Sequence, residues 1–473
     1  MNSKSHGALM KTDCGAAALR VRTRSCRFAE PAAEPLSECD REATNRRVRG
    51  KAVALGSWPC VSYALEGGSS GAEVQKRELD SRTPKATASR SHSESASRPD
   101  FYPWVLGLLV AVSRIATSGP AYFVDGPAHI EAIRSRAFVI QPPGYWLFNR
   151  LAGFFPNPAA GIHILNWAFS VAGVVVFYYA ARLLVSRTVV RLGAALYAVV
   201  FYAWFSGGIH STYASQLLFP VLVFYFLLLH MRNLRSAHLA GASLAFGIGA
   251  GLRPSDGAFL GVMFVYYLVR YAGWKQATLA FALATAVCLA WLVPTAACYR
   301  ATGLNNAFVY IGHASTRVSI LTRGVNYRSV ANIGRFFIPL ALAFWPLAGA
   351  IGRTLAGLRD RHIVLLWLWI APGAAYLVLC CMADAPYLNF LTPALLLLGM
   401  IALDRSRSSR RAWAFGLAIA CNLGFFLFFR PFPTRSVAID AVNVFAGKYT
   451  AWSIRHQWQP NLSDLHDRNA PLE

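Results

Sequence analysis

Carboxylates are scarce beyond residue 100, which narrows the places where proton transfer could occur. Ten Asp and Glu stand there (Asp125, Glu131, Asp256, Asp360, Asp384, Asp404, Asp440, Asp464, Asp467 and Glu473) against twenty-nine Lys and Arg. A carboxylate held near a hydroxyl can take its proton, and an arginine can neutralise a departing phosphate with bidentate geometry. Asp125 lies in YFVDGPAHIEAIRSRAF, where Asp before Gly-Pro also reads as an N-cap for a helix from Ala128. The two readings are compatible, because a carboxylate at a helix start is held rigidly and stays ionised. Glu131 follows six residues later, about 600° around a helix, so the two side chains point apart if they share one. His129 is one turn after Asp125 and could touch it, or could be a solvated surface group. Asp256 follows Arg253 by three residues in GLRPSDGAFL, the spacing of a local ion pair.

The elements that position these groups follow from composition. Of 473 residues 55% are hydrophobic and 14% charged, and mean hydropathy is +0.38; that much apolar surface must face lipid. About eleven transmembrane helices are expected, near 102–118, 161–181, 190–206, 213–230, 237–252, 257–271, 277–297, 335–352, 363–382, 387–403 and 411–429. The two around RPSD are short and read either as two thin helices or as one broken one. The net charge of +24 does not point to nucleic acid, since most cations flank apolar segments rather than forming a patch. Alternate short loops carry the arginines, from Arg182, Arg187 and Arg191 to Arg405, Arg407, Arg410 and Arg411. The positive-inside rule then places these loops and the N-terminus in the cytoplasm. Residues 119–160, 298–334 and the tail 431–473 fall outside. Asp360 and Asp404 read as counter-charges in basic turns, and Asp384 as a span-end anchor. Asp125, Glu131, Asp256 and Asp384 remain as external acids near the membrane.

Residues 1–100 are rich in Arg, Ser, Ala and Glu, lack a sustained hydrophobic period and read as a disordered region before the transmembrane domain 101–430. They do not have the pattern of a secretory signal. The nine cysteines show no metal-ligand spacing, and no disulfide framework is inferred. Residues 141–160, QPPGYWLFNRLAGFFPNPAA, begin with a double proline and continue as an aromatic amphipathic stretch. It is expected in the interface plane, with Tyr145, Trp146, Phe154 and Phe155 at headgroup depth.

An Asp just after the first span, a two-helix external loop and the following QPPGYWLF segment resemble the GT-C membrane glycosyltransferases. Within them the chain resembles the branch containing protein O-mannosyltransferases and bacterial lipid A aminoarabinose transferases. The likeness covers about residues 100–400 and includes GLRPSDGAFL at 251–260 and DAPYLNFLTPALLLL at 384–398. It implies a GT-C-like, all-α polytopic membrane protein with interfacial helices in the first external loop. It also implies transfer of a sugar from a polyprenyl-phosphate donor to a glycan, lipid or protein acceptor outside the cytoplasm. Asp125 matches the acid that acts as general base in that family, and Gln141 stands where many members have His, ahead of Pro142, Pro143 and Tyr145. The O-mannosyltransferase branch carries two adjacent acids at the first-loop site. Here Gly126 follows Asp125, which leaves Glu131 as the one candidate second carboxylate. No cofactor is indicated, and a divalent metal stays open. Arg253 and Arg335, which abut spans, are the first candidates for the phosphate, with His129, Tyr310, Tyr327 and Tyr387 as further substrate contacts. The alternative class is a transporter or flippase of lipid-linked sugars, which would need mid-membrane ionisable groups and repeated halves. Few mid-span charges and no repeat are visible, which favours the enzyme. The expected location is a bacterial plasma membrane.

Overall fold

The computed structural model describes residues 100–118, 125–140, 144–302, 319–381, 385–406 and 411–428. All belong to a unit that runs from Glu94 to Glu473; a first unit, Met1–Ser93, lies outside the described residues, as do Gln141, Tyr310, Asp384 and the tail 431–473.

Regular structure among the described residues is helical. The order is α1 (Tyr102–Ala116), α2 (Asp125–Arg134), α3 (Trp146–Ala152), α4 (Pro158–Arg182), α5 (Arg187–Val199), α6 (Phe201–Gly207), a 3₁₀ turn (Tyr213–Leu217) and α7 (Phe219–Asn233). There follow α8 (Ser236–Leu252), α9 (Pro254–Tyr271), α10 (Trp274–Thr302), the single turn α11 (Ile320–Arg323), α12 (Tyr327–Arg353) and α13 (Arg361–Leu379). A 3₁₀ turn (Ala385–Phe390), α14 (Thr392–Ser406) and α15 (Arg411–Phe428) complete it. Local chemistry explains several of the starts. Asn157 Oδ1 accepts from Ala159 N (2.9 Å) and Ala160 N (3.2 Å) ahead of Pro158 at the first position of α4, and Asp360 caps α13 by accepting from His362 N at 2.8 Å.

Each of the eleven apolar stretches carries helix. Among the described residues, five segments can cross a membrane by length and apolar composition, and six if the α5–α6 pair, bent by 57°, counts as one broken span. Tyr102–Ala116, Ser236–Leu252 and Arg411–Phe426 are shorter apolar helices. The chain is an all-α integral membrane protein. Its core runs through the middle of the bundle, from Tyr178 and Phe177 on α4 to Trp369 on α13 and Leu397 on α14, each fully buried. Many large apolar side chains of α1, α10 and α12, including Leu108, Leu109, Phe281 and Phe337, are exposed, as a lipid-facing surface requires.

Asp100, the last residue of the region read as disordered, takes part in this unit. Arg187 Nη2 lies 2.9 Å and Arg191 Nη2 3.4 Å from its carboxylate, and the Tyr178 hydroxyl donates to it. Partial burial pushes its pKa up, but the bonds from Tyr178, Arg187 and the Tyr102 amide outweigh that and bring it down to about 2. The first turn of α5, Arg187–Arg191, thus holds the start of α1.

Candidate active site

The chain on either side of Arg253 forms two separate helices, α8 and α9. Phe246 of α8 stacks on Phe264 of α9 with ring centroids 4.9 Å apart, so the chain doubles back at Arg253. Pro254 opens α9 at its first position, where a missing N–H costs nothing. Arg253, in extended conformation between the helices, is 2% exposed. Its Nε lies 3.5 Å from Asp256 Oδ2, the pair expected from the i,i+3 spacing, yet that Nε is left without a hydrogen bond. Nη1 donates to Thr212 Oγ1 at 2.8 Å. Asp256 also accepts from Gln216 Nε2 at 2.8 Å.

Three tyrosine rings surround the guanidinium. Their centroids are 4.3 Å (Tyr213), 5.5 Å (Tyr387) and 5.7 Å (Tyr145) from Arg253 Cζ. Tyr213 and Tyr387 meet edge to face at 5.2 Å. Each π face attracts the cation. Burial works against the charge, but Tyr145, Asp256, Tyr213 and Tyr387 hold the Arg253 pKa above the usual arginine value. Arg253 is therefore a permanent cation in a largely desolvated cage.

Tyr145 reaches this cage from the loop between α2 and α3 through an unusual backbone. Gly144 has φ +104° and Tyr145 φ +54°. A Cβ on Gly144 would lie 2.8 Å from the Tyr299 hydroxyl, which donates to Ile140 O at 3.1 Å. The loop is thus pressed against α10 at a point only glycine fits, and Tyr145 pays the strain of a left-handed conformation that turns its ring inward. Tyr145 is half-buried, its ring facing Arg253, whereas Phe154 is 71% exposed. Burial pushes the Tyr145 phenol pKa up; Arg253 opposes this and the Asp125 carboxylate adds to it.

Asp125 begins α2 three residues earlier than the expected helix start at Ala128, and it is half-buried. His129, one turn on, is 2% exposed and is not a solvated surface group. Its Nδ1 pairs with Asn149 Oδ1 at 2.7 Å, and Asn149 Nδ2 donates to Phe138 O at 3.0 Å, which locks α2 to α3. The His129 ring packs edge-on against Tyr145 at 5.5 Å. Burial lowers its pKa to about 4, against the Asn149 bond and with help from Arg253, so the imidazole is neutral at neutral pH.

The structure therefore gathers His129, Tyr145, Arg253 and Tyr387, with the charge of Asp125 felt at Tyr145. Glu131 is exposed on α2, with no side-chain contact to this group among the described residues. The shared carboxylate pair considered from sequence is not formed, because six residues of helix turn the two side chains apart. Arg335 is half-buried on α12 and makes no ion pair or hydrogen bond to the cage among the described residues; Tyr327 is 76% exposed at the start of α12. Sequence reasoning missed Thr212, Tyr213, Gln216 and Asn149. Tyr213 stands in GIHSTYASQ, where several polar residues interrupt an apolar run, and that interruption was a usable signal. It also missed Arg114, a lone cation inside the first span. Among the described residues no three His, Cys, Asp or Glu side chains come together to hold a metal.

No family model matches the chain, and no curated protein matches it. Solved structures do. ArnT from Cupriavidus metallidurans bound to undecaprenyl phosphate aligns with TM-score 0.47 and 15% identity, covering 74% of this chain and 75% of that one. Its apo state gives 0.46 and 17% over the same shares. The Archaeoglobus fulgidus oligosaccharyltransferase tethered to an acceptor peptide gives 0.43 and 13%, over 79% of this chain and 58% of that one.

Proposed function

We propose that this chain is a membrane glycosyltransferase that moves a sugar from a polyprenyl-phosphate carrier to an acceptor hydroxyl on the extracytoplasmic side of a bacterial plasma membrane. The observation that supports the reading is the packing of the Tyr145 ring, from the loop after α1, against Arg253 between α8 and α9, with the Asp125 carboxylate of that same loop close enough to raise the Tyr145 phenol pKa. Two of them were singled out by the motif resemblance, and Arg253 by its place at a span break.

In this reading the acceptor oxygen attacks the anomeric carbon while the bond from that carbon to the phosphate oxygen breaks. The hydroxyl proton passes to the Asp125 carboxylate. The leaving polyprenyl phosphate keeps the bonding electrons, and Arg253 stabilises its charge at the membrane surface. Asp256 and the tyrosine rings keep the guanidinium fixed before the lipid arrives, so little reorganisation is needed when charge develops. Neutral His129, whose Nδ1–H is engaged by Asn149 Oδ1, serves to hold Tyr145 and α2.

The test uses purified protein with a polyprenyl-phosphate sugar and candidate acceptors. Asp125→Asn is expected to lower turnover by about 100-fold or more, the usual worth of a positioned base, with lipid binding and melting temperature unchanged. Unchanged turnover would remove Asp125 from the mechanism. The matching orientation is tested separately: a reporter fused after Arg411 should read cytoplasmic and one after Phe432 external.

A further inference from the structure

The α5–α6 break leaves backbone groups without helical partners inside the apolar core, where each would be costly. Two side chains from other helices take them. Arg114 of α1 donates from Nη2 to Ala198 O at 2.8 Å, and Asn422 of α15 accepts from Phe201 N at 3.1 Å. Arg114 is 2% exposed and has no carboxylate partner among the described residues. Its charge faces the negative end of the α5 dipole, and its guanidinium lies 4.9 Å over the Trp204 ring of α6.

The chain beyond α6 is held just as closely. A Cβ on Gly207 would stand 2.7 Å from Ser170 Oγ and 2.9 Å from Arg114 Cδ. Asn389 Nδ2 donates to Ser206 Oγ at 2.8 Å. Asn166 Nδ2 donates to Ile209 O at 2.8 Å and Ser211 O at 2.9 Å. Both asparagines are fully buried. The next two residues are Thr212 and Tyr213, which bond to and lie under the Arg253 guanidinium.

We infer that Arg114, Asn166 and Asn389 are positioning residues: they clamp segment 206–211 so that Thr212 and Tyr213 hold Arg253 in the orientation that receives a lipid phosphate. The inference rests on the proposed phosphate role of Arg253 for its ligand readout only. The broken span is then part of the site, and a cation with no substrate contact sets the aim of one that has it.

The test uses full-length protein in detergent with undecaprenyl phosphate as the probe. Arg114→Met should weaken binding about tenfold, the scale of one lost charge-assisted hydrogen bond. Arg114→Lys, which keeps the charge and a donor for Ala198 O, should recover most of it. Thr212→Val should weaken binding similarly, and the double variant Arg114→Met/Thr212→Val no further than the weaker single, since both act through Arg253. Backbone amides of 206–213 should exchange hydrogen faster in Arg114→Met than in the parent or in Arg114→Lys. Parental binding by Arg114→Met, additive loss in the double variant, or unchanged exchange would each overturn the clamp. If the parent itself does not bind the probe, the phosphate role of Arg253 fails, and the exchange measurement still decides the clamp. Should Arg114→Met not fold, Asn166→Ala, which alters no charge, takes its place with the same expectations.

Discussion

Arg253 and Arg114 are equally buried, at 2% exposure, and their surroundings assign them different work. Arg253 sits at an unwound turn between two helices with Asp256, Thr212 and three tyrosine rings about it. Arg114 sits inside a helix, and its best bond goes to a backbone carbonyl at the end of another. A buried charge must be neutralised or its protons satisfied. The first cation meets that need with a carboxylate and π faces, whose diffuse attraction leaves N–H groups available to an incoming anion. The second meets it by completing a broken helix, with Nη2 on Ala198 O and Nη1 on Ser113 Oγ, and no tyrosine cage or carboxylate stands around it among the described residues.

The largest expected effect comes from cutting the first of these arrangements. Arg253→Met leaves Asp256 buried without its counter-charge and should lose about 3–5 kcal/mol of stability, measured by unfolding in detergent. Adding Asp256→Leu should restore most of that stability without restoring undecaprenyl-phosphate binding. A double variant that binds the lipid would end the distinction between the two arginines.

Gly207→Ala probes the second region. The new methyl meets Ser170 and Arg114 and should cost about 1–3 kcal/mol through overpacking, with weaker lipid binding because Thr212 shifts. Loss of stability with parental binding would show that the Arg114 region and the Arg253 cage are independent.

Acid titration gives a smaller signal. The folded pKa of His129, about 4, lies below the unfolded value of 6.5. Its contribution to stability is therefore complete above pH 6.5 and is lost as pH falls from 6.5 toward 4, because the unfolded chain takes up the proton first. Melting temperature should fall across that window, and His129→Gln should flatten the fall. The smallest effect is expected at the far end of the bundle. Asp100→Asn should cost at most about 1 kcal/mol, since the arginines that hold Asp100 are half exposed and screened by solvent. A melting-temperature comparison at neutral pH checks it.

Part of the candidate site was legible because it depends on short spacings. The Arg253–Asp256 pair follows from three residues of separation, and the inward Tyr145 belongs to a segment already marked by its double proline and aromatics. The rest depends on partners far away in the chain. Thr212 is 41 residues from Arg253, and Asn389 is 183 from Ser206. His129 could be solvated or buried on sequence grounds, and only the contact with Asn149, twenty residues on, decides for burial. Glu131 belonged with Asp125 in a list of scarce acids; that the two share one helix, which turns their side chains apart, is what the structure adds.

Hydropathy and charge placement alone determined that this is a polytopic membrane protein, where its helices run and which few acids and arginines could do chemistry. Those properties are additive along the chain, because each apolar stretch answers to lipid by itself. The tertiary structure decided which charges are buried, what satisfies each of them and which residues face one another across the bundle. Burial and pairing depend on contacts between helices remote in sequence, so the difference between Arg253 in its tyrosine cage and Arg114 at its helix break could only emerge once the chain had folded.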